Sequence, residues 1–527
     1  MSSIKKGFTL IEIIAIIILL SVIALITYPI INNLINDSKD ELHEKQISEL
    51  NRLTQVWVTK NINKLKMEDG YSYNVSFSEL YEQGLVDDSD VKDPKTGEDL
   101  PGCMVIAYNA NNSGYDVSYD ASCTTFGEGS KYTDNSGANA PELHTNMIPI
   151  KYEDEKWVVA NLYKKWYDYD SKEWANAVVL TPGVKKNIGD EVTEEEIALW
   201  YVWVPRYKYT IFNGNNESAD AQLINISFES GTSRTGTVTC TYNSDGSETC
   251  TDAINGSIIN GTSTYTHPAF KFGEQELKGF WFGKFEVSNT DEACNKTNSN
   301  NNCNKVLTAV TKPNVRSWRY VSLVNLFTSI ANINSTYNVS GDSHIVKNMD
   351  WGAVAYLKQS KYGLGTTDIA INNNSSTFYT GSGQDNIYKT RTNQSTTGNI
   401  YGIYDMSGGT YEYVMGNMLK SNGSMSISDS GFTTELDSKY YDTYKYSTAY
   451  TSHERSKLGD ACKETLKTFG TKNAGWYDDL SYMPNSYQAW FHRGGGAGTG
   501  ANAGIFAFSD NDGGAITNIT TRIVLTK

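Results

Sequence analysis

Three kinds of residue in this chain could do chemistry: cysteines, histidines, and a C-terminal run of aromatic and short polar side chains. The cysteines stand at 103, 123, 240, 250, 294, 303 and 462. Six of them fall into close pairs, Cys103 with Cys123, Cys240 with Cys250 and Cys294 with Cys303, a pattern that predicts disulfides outside the cytosol. The Asp245-Gly246 turn signal places Cys240 opposite Cys250 in a hairpin. Zinc is the alternative, but no C-x-x-C or Cys/His spacing supports it. Cys462 is left over, a buried thiol in the favoured reading and an intermolecular bridge in the other. His267, His344, His453 and His492 stand near no G-x-S-x-G, H-E-x-x-H or Gly-rich phosphate loop, so none reads as catalytic. In the last fifty residues, Trp476, Tyr477, Tyr487, Trp490 and His492 precede a Gly-rich run. Asn502, Asp510, Asn511, Asp512 and Asn518 follow, with 510–512 expected to be exposed. Aromatic planes beside short polar groups suit recognition of sugars or protein loops.

The elements that would position these groups begin with residues 1–31. From Phe8 to Ile31 the only charged side chain is Glu12, and 24 helical residues span about 36 Å, enough to cross a bilayer. A carboxylate there costs roughly 2.5 to 3.5 kcal/mol, so it needs a partner. Leu34, Leu42, Ile47, Leu50, Leu53 and Trp57 continue at mostly helical spacing among charged residues, which predicts a soluble amphipathic half. Strands are expected at 103–108, 115–119, 157–160, 166–169, 174–178 and 200–209. Residues 124–141 lack apolar periodicity and read as a linker. With 35 Tyr, 11 Trp and only 10 Pro, the remainder reads as loop-rich β structure. The net charge of −15, with no downstream Lys/Arg run, argues against nucleic acid as a partner.

Lys5-Lys6-Gly7-Phe8, with Glu12 four positions beyond Phe8, resembles the N-terminus of a type IV prepilin. The resemblance implies cleavage after Gly7 by a prepilin peptidase, N-methylation of Phe8, and assembly through Phe8 and Glu12 with other pilin subunits. It also implies a single-pass cytoplasmic membrane protein before assembly and a cell-surface or extracellular filament afterwards. A short helix, the Asp93-Pro94-Lys95-Thr96-Gly97 turn and a final hairpin are similar to a small pilin head.

Four separated segments resemble the formylglycine-generating (sulfatase-modifying factor) enzymes and their non-catalytic relatives of C-type-lectin-like fold. They are 279–288, 348–357, Gly402-Ile403-Tyr404-Asp405-Met406-Ser407-Gly408-Gly409-Thr410-Tyr411-Glu412-Tyr413-Val414, and His492-Arg493-Gly494-Gly495 with Arg522-Ile523-Val524. The family's oxidase chemistry needs a pair of cysteines after the R-G-G stretch, and from Arg493 onward this chain has no Cys. A soft metal without thiolates loses its site, so the chain reads as no enzyme and as needing no cofactor. Of the family's calcium positions, Asp405 and Glu412 are retained as weak metal candidates, while Gly409 replaces an Asn.

The combined expectation is an α+β chain: leader 1–7, membrane and polymerisation helix 8–60, small pilin-like head 61–123, linker 124–141, β-rich aromatic region 142–264, and a large mixed α/β, lectin-like domain 265–527. The function expected from it is a minor type IV pilin or pseudopilin whose non-catalytic domain binds an extracellular glycan or protein. The alternatives are a structural component of a type II secretion or DNA-uptake pseudopilus, and a residual enzyme of the second family.

Overall fold

The computed structural model describes residues 10–128, 131–214, 220–297 and 301–527. The chain divides into two compact units, Met1–Lys131 and Tyr132–Lys527. Among the described residues there are 25 strands against six α-helices. The expected α+β class, with a long apolar pilin helix as its organising element, is therefore corrected to a mostly β chain with few helices. Within the helical stretch Leu10–Lys60, the described apolar run is residues 14–21, with side chains exposed at every position. Among the described residues, no helix is long and apolar enough to cross a membrane. That overturns the expected single-pass membrane placement. Gly7 and Phe8 lie outside the described residues, as does the side chain of Glu12.

In the smaller unit, the last turns of Leu10–Lys60 become one-sided. Leu50, Trp57 and Val58 are buried against Val75, Leu80, Met104 and Ile106. Leu42 remains 56% exposed, so the buried stripe starts later than the sequence periodicity predicts. A four-stranded sheet covers this stripe, with Ser72–Val75 between Cys103–Asn109 and the two-residue strand Gly127–Glu128, and Gly114–Asp120 outermost. Ser76 caps the short helix Phe77–Glu82 by accepting from the Glu79 N–H at 3.0 Å. The Cys103–Cys123 disulfide closes a span of 20 residues. A closure of that length adds about 3 kcal/mol, which matters for so small a core.

The larger unit is organised on a seven-stranded antiparallel sheet. Its order is Asp342–Ile345, Ile523–Thr526, Gly279–Gly283, Ile197–Pro205, Asn176–Leu180, Met147–Glu153 and Lys156–Val159. Ile197–Pro205 reads Ile-Ala-Leu-Trp-Tyr-Val-Trp-Val-Pro and is buried at every position. An unbroken apolar run is what a strand covered on both faces requires. Strands from either side of position 264 thus share one sheet. Residues 166–169 are not a strand. They turn back through Asp168 and Glu173, whose backbones exchange hydrogen bonds of 2.8 and 2.9 Å, with Lys172 at φ +62°. Their aromatic rings still enter the core, Trp166 and Tyr169 included.

A second sheet orders Asp442–Tyr444, Tyr411–Met418, Trp490–Arg493 and Phe508–Asn511, with Ile519–Thr521 alongside Tyr411–Met418. The helix Asn348–Lys358 packs against Tyr411–Met418 and is buried along its whole length. Gly352 is needed there, because a Cβ would stand 2.0 Å from the Gly459 carbonyl oxygen.

Candidate functional site

The motif 402–414 leads into the strand Tyr411–Met418 and delivers its carboxylates to the interior. Glu412 and Arg522 are both fully buried and bidentate, at 2.6 and 2.9 Å. Arg522 also donates to the Gly283 carbonyl at 2.9 Å. Asp405, at φ +61°, accepts from the Gly381 N–H at 2.8 Å and from Asn372 Nδ2 at 3.2 Å. Glu286 accepts from the Thr410 N–H at 2.8 Å and from the Ser317 hydroxyl. Burial raises all three carboxyls, Glu412 to about 6 against the pull of Arg522. Among the described residues, the one group of three potential ligand atoms tight enough for a metal is Cys240, Glu248 and Cys250. Both cysteines there are spent in a disulfide, so no thiolate is available.

Gly409 sits at φ +74°, and a Cβ there would stand 2.5 Å from Glu286 Oε1. Where the resembled motif carries Asn, this chain has instead let a buried glutamate approach. Gly409→Asn should therefore destabilise the chain by about 1–3 kcal/mol through backbone strain and the displaced carboxylate. A denaturation midpoint matching the parent would show that Glu286 has room to move.

The ten C-terminal residues do not form one surface. Trp490 and His492 belong to a central strand flanked by Tyr411–Met418 and Phe508–Asn511, and Trp476 is wholly buried. Burial lowers His492 to about 3, and its ring packs edge-on to Tyr411 at 4.5 Å. The expected exposure of 510–512 is corrected. Asn511 is buried and accepts from the Tyr413 hydroxyl, while Asp510 is half-buried and held by Asn485 and Ser509. Asp512 accepts the Gly514 N–H at 2.8 Å, a turn-forming role. The Tyr477 hydroxyl donates to the Thr366 carbonyl and Asn502 to the Asp478 carbonyl. The Asn518 carbonyl accepts from the Tyr411 N–H. Tyr487, 84% exposed, is the one aromatic of the set that stands in solvent.

A concave site exists elsewhere in the larger unit. A cleft of about 630 Å³ opens between four stretches of chain: the hairpin strand Val238–Tyr242, the turn 271–276, the start of helix Asn348–Lys358, and residues 438–443 with Lys457. The hairpin wall is fixed in two ways. Cys240 pairs directly with Cys250 and is bridged to it. Gly246 at the tip packs so closely on Tyr444 that a Cβ would lie 2.5 Å from its carbonyl carbon. Tyr242 keeps 44% of its surface exposed, while its hydroxyl turns inward to that of Tyr265 at 3.4 Å. The Lys457 ammonium lies 4.5 Å from the Tyr242 ring centre and 5.2 Å from that of Tyr444. Asp442 Oδ2 accepts the Met349 N–H at 2.8 Å, and burial raises this carboxyl to about 6. The sequence reading missed this cleft because its walls come from segments more than two hundred residues apart, from Val238 to Lys457. No local sequence signal marked it.

Cys462 is fully buried, and Arg493 Nη1 donates to its sulfur at 2.8 Å. Burial pushes the thiol above its ordinary range, so it is not a reactive nucleophile. Comparison with family models gives no match for this chain, and comparison with curated proteins gives none either.

Proposed function

We propose that the larger unit is a non-catalytic module that binds an extracellular glycan, carried by a minor subunit whose first twelve residues resemble a type IV prepilin. The observation that carries this reading is the cleft walled by the disulfide-locked hairpin. Its volume matches a ligand site of ordinary size. Its lining mixes tyrosine rings with threonine hydroxyls and charged groups, the combination that grips a ring whose faces are apolar and whose edges are polar. The sealed Cys462 and the missing second thiol favour binding over oxidation. The prepilin-like residues support assembly with other pilin subunits after cleavage at Gly7.

The test is a glycan array probed with the purified full-length chain, parent and Tyr242→Ala. The parent should bind a restricted set of saccharides, and the variant should lose about tenfold in affinity, the scale of one lost aromatic stacking contact. Binding to no saccharide, or equal binding by both proteins, overturns the reading.

A further inference from the structure

We propose that the cleft selects an anionic saccharide, a sugar ring bearing a carboxylate or a sulfate, and that Lys457 and Lys347 recognise its charge; this rests on the glycan-binding reading above. The argument is one of pairing. Arg234 is matched by Glu276 at 2.7 Å, Lys271 by Glu274 at 3.0 Å, and Lys439 by Asp342 at 3.1 Å. Lys347 has only a long ion pair, 3.9 Å to Asp350, and one cleft lysine has none. Lys457, 2% exposed, pairs with no carboxylate within 4.0 Å among the described residues.

Asp442, Glu248, Asp460 and Asp245 all act on Lys457 through space, and none of them closes to an ion pair. Asp442 lies at the start of the helix, where it takes the Met349 N–H, and makes no ion pair within 4.0 Å with either lysine. Lys457 is instead held by the Tyr242 and Tyr444 rings. Such contacts orient a cation but offset only part of its lost hydration. An oxyanion entering from solvent would complete its coordination. With Tyr242 exposed beside it, that oxyanion is best carried on a flat apolar face, which describes an acidic sugar better than a free inorganic anion.

The experiment titrates full-length parent, Lys457→Met, Lys347→Met and Arg234→Met with three probes: oligogalacturonate, a 6-sulfated galacto-oligosaccharide and the neutral galacto-oligosaccharide. The parent should prefer at least one charged probe over the neutral one by about tenfold or more. Lys457→Met should erase that preference. Arg234→Met, whose partner is already supplied by the protein, should keep it. The carboxylate and sulfate arms show which oxyanion is read. If Lys457→Met fails to fold, Lys347→Met and the salt dependence of the parent carry the test: charged-probe affinity should fall as ionic strength rises. Neutral and charged probes binding alike overturns the charge proposal and leaves the glycan reading standing. No binding to any saccharide removes both.

Discussion

Arg522→Met is expected to cost the larger unit about 3–5 kcal/mol, the usual consequence of stripping one partner from a buried ion pair. Among the described residues, Arg522 is the single cation placed directly against Glu412, and it also faces Asp405 and Glu286 electrostatically. All four side chains sit in the interior. Without the guanidinium, Glu412 loses both its hydrogen bonds and its counter-charge, and the Gly283 carbonyl loses its donor. The position also joins the two sheets, since Arg522 lies between Ile519–Thr521 and Ile523–Thr526. A control separates charge from packing. The double variant Arg522→Met with Glu412→Met removes both charges at similar volume and should recover more than half of the loss, because two matched apolar groups leave no orphaned ion. Chemical denaturation of parent, single and double variants gives the comparison. A double variant as unstable as the single one would mean that shape, and not charge, is what Arg522 contributes.

The features legible in the sequence were those whose signal is local. The Cys240–Cys250 register follows from a turn dipeptide and symmetric spacing, and the structure places those residues opposite one another. The strand expected at 200–209 begins earlier, at Ile197, and is divided at Arg206 into Ile197–Pro205 and Tyr207–Thr210. Aromatic content alone misled at 166–169 and at 490–492. At 166–169 a tight backbone turn overrides strand propensity. Along 490–492 central-strand burial takes Trp490 and His492, two candidates for a ligand surface, into the interior. Apolar patterning predicted a membrane helix from residue 8, whereas among the described residues no helix is long and apolar enough to cross a membrane. The cleft had no local signal at all. Its charge balance emerges only when Lys347, Asp442 and Lys457 are brought together by tertiary contacts.

Glu464 should make the stability of the larger unit depend on pH in an unusual direction. Its Oε2 accepts from the Tyr209 hydroxyl at 2.6 Å, the Tyr356 hydroxyl at 2.8 Å and the Gly459 N–H at 2.9 Å. Oε1 has no partner among the described residues. Burial raises this carboxyl from 4.5 to about 7, despite those donors. A carboxyl raised on folding favours the folded state when protonated. Its contribution is fully present below about 4.5 and is lost as the pH climbs through about 7. At 1.36 kcal/mol per pKa unit, that loss is about 3 kcal/mol. Glu412 and Asp442, each raised to about 6, act in the same sense. His267 and His492, both lowered to about 3 by burial, act oppositely and weaken the fold as the pH falls below 6.5. Raw stability curves therefore mix two trends. The difference between parent and Glu464→Gln cancels every group except Glu464, given that the others keep their surroundings. That difference should shift by about 3 kcal/mol in favour of the variant between pH 4.5 and pH 8. A difference that stays flat across the range would show that Glu464 is charged throughout, with its three donors outweighing burial.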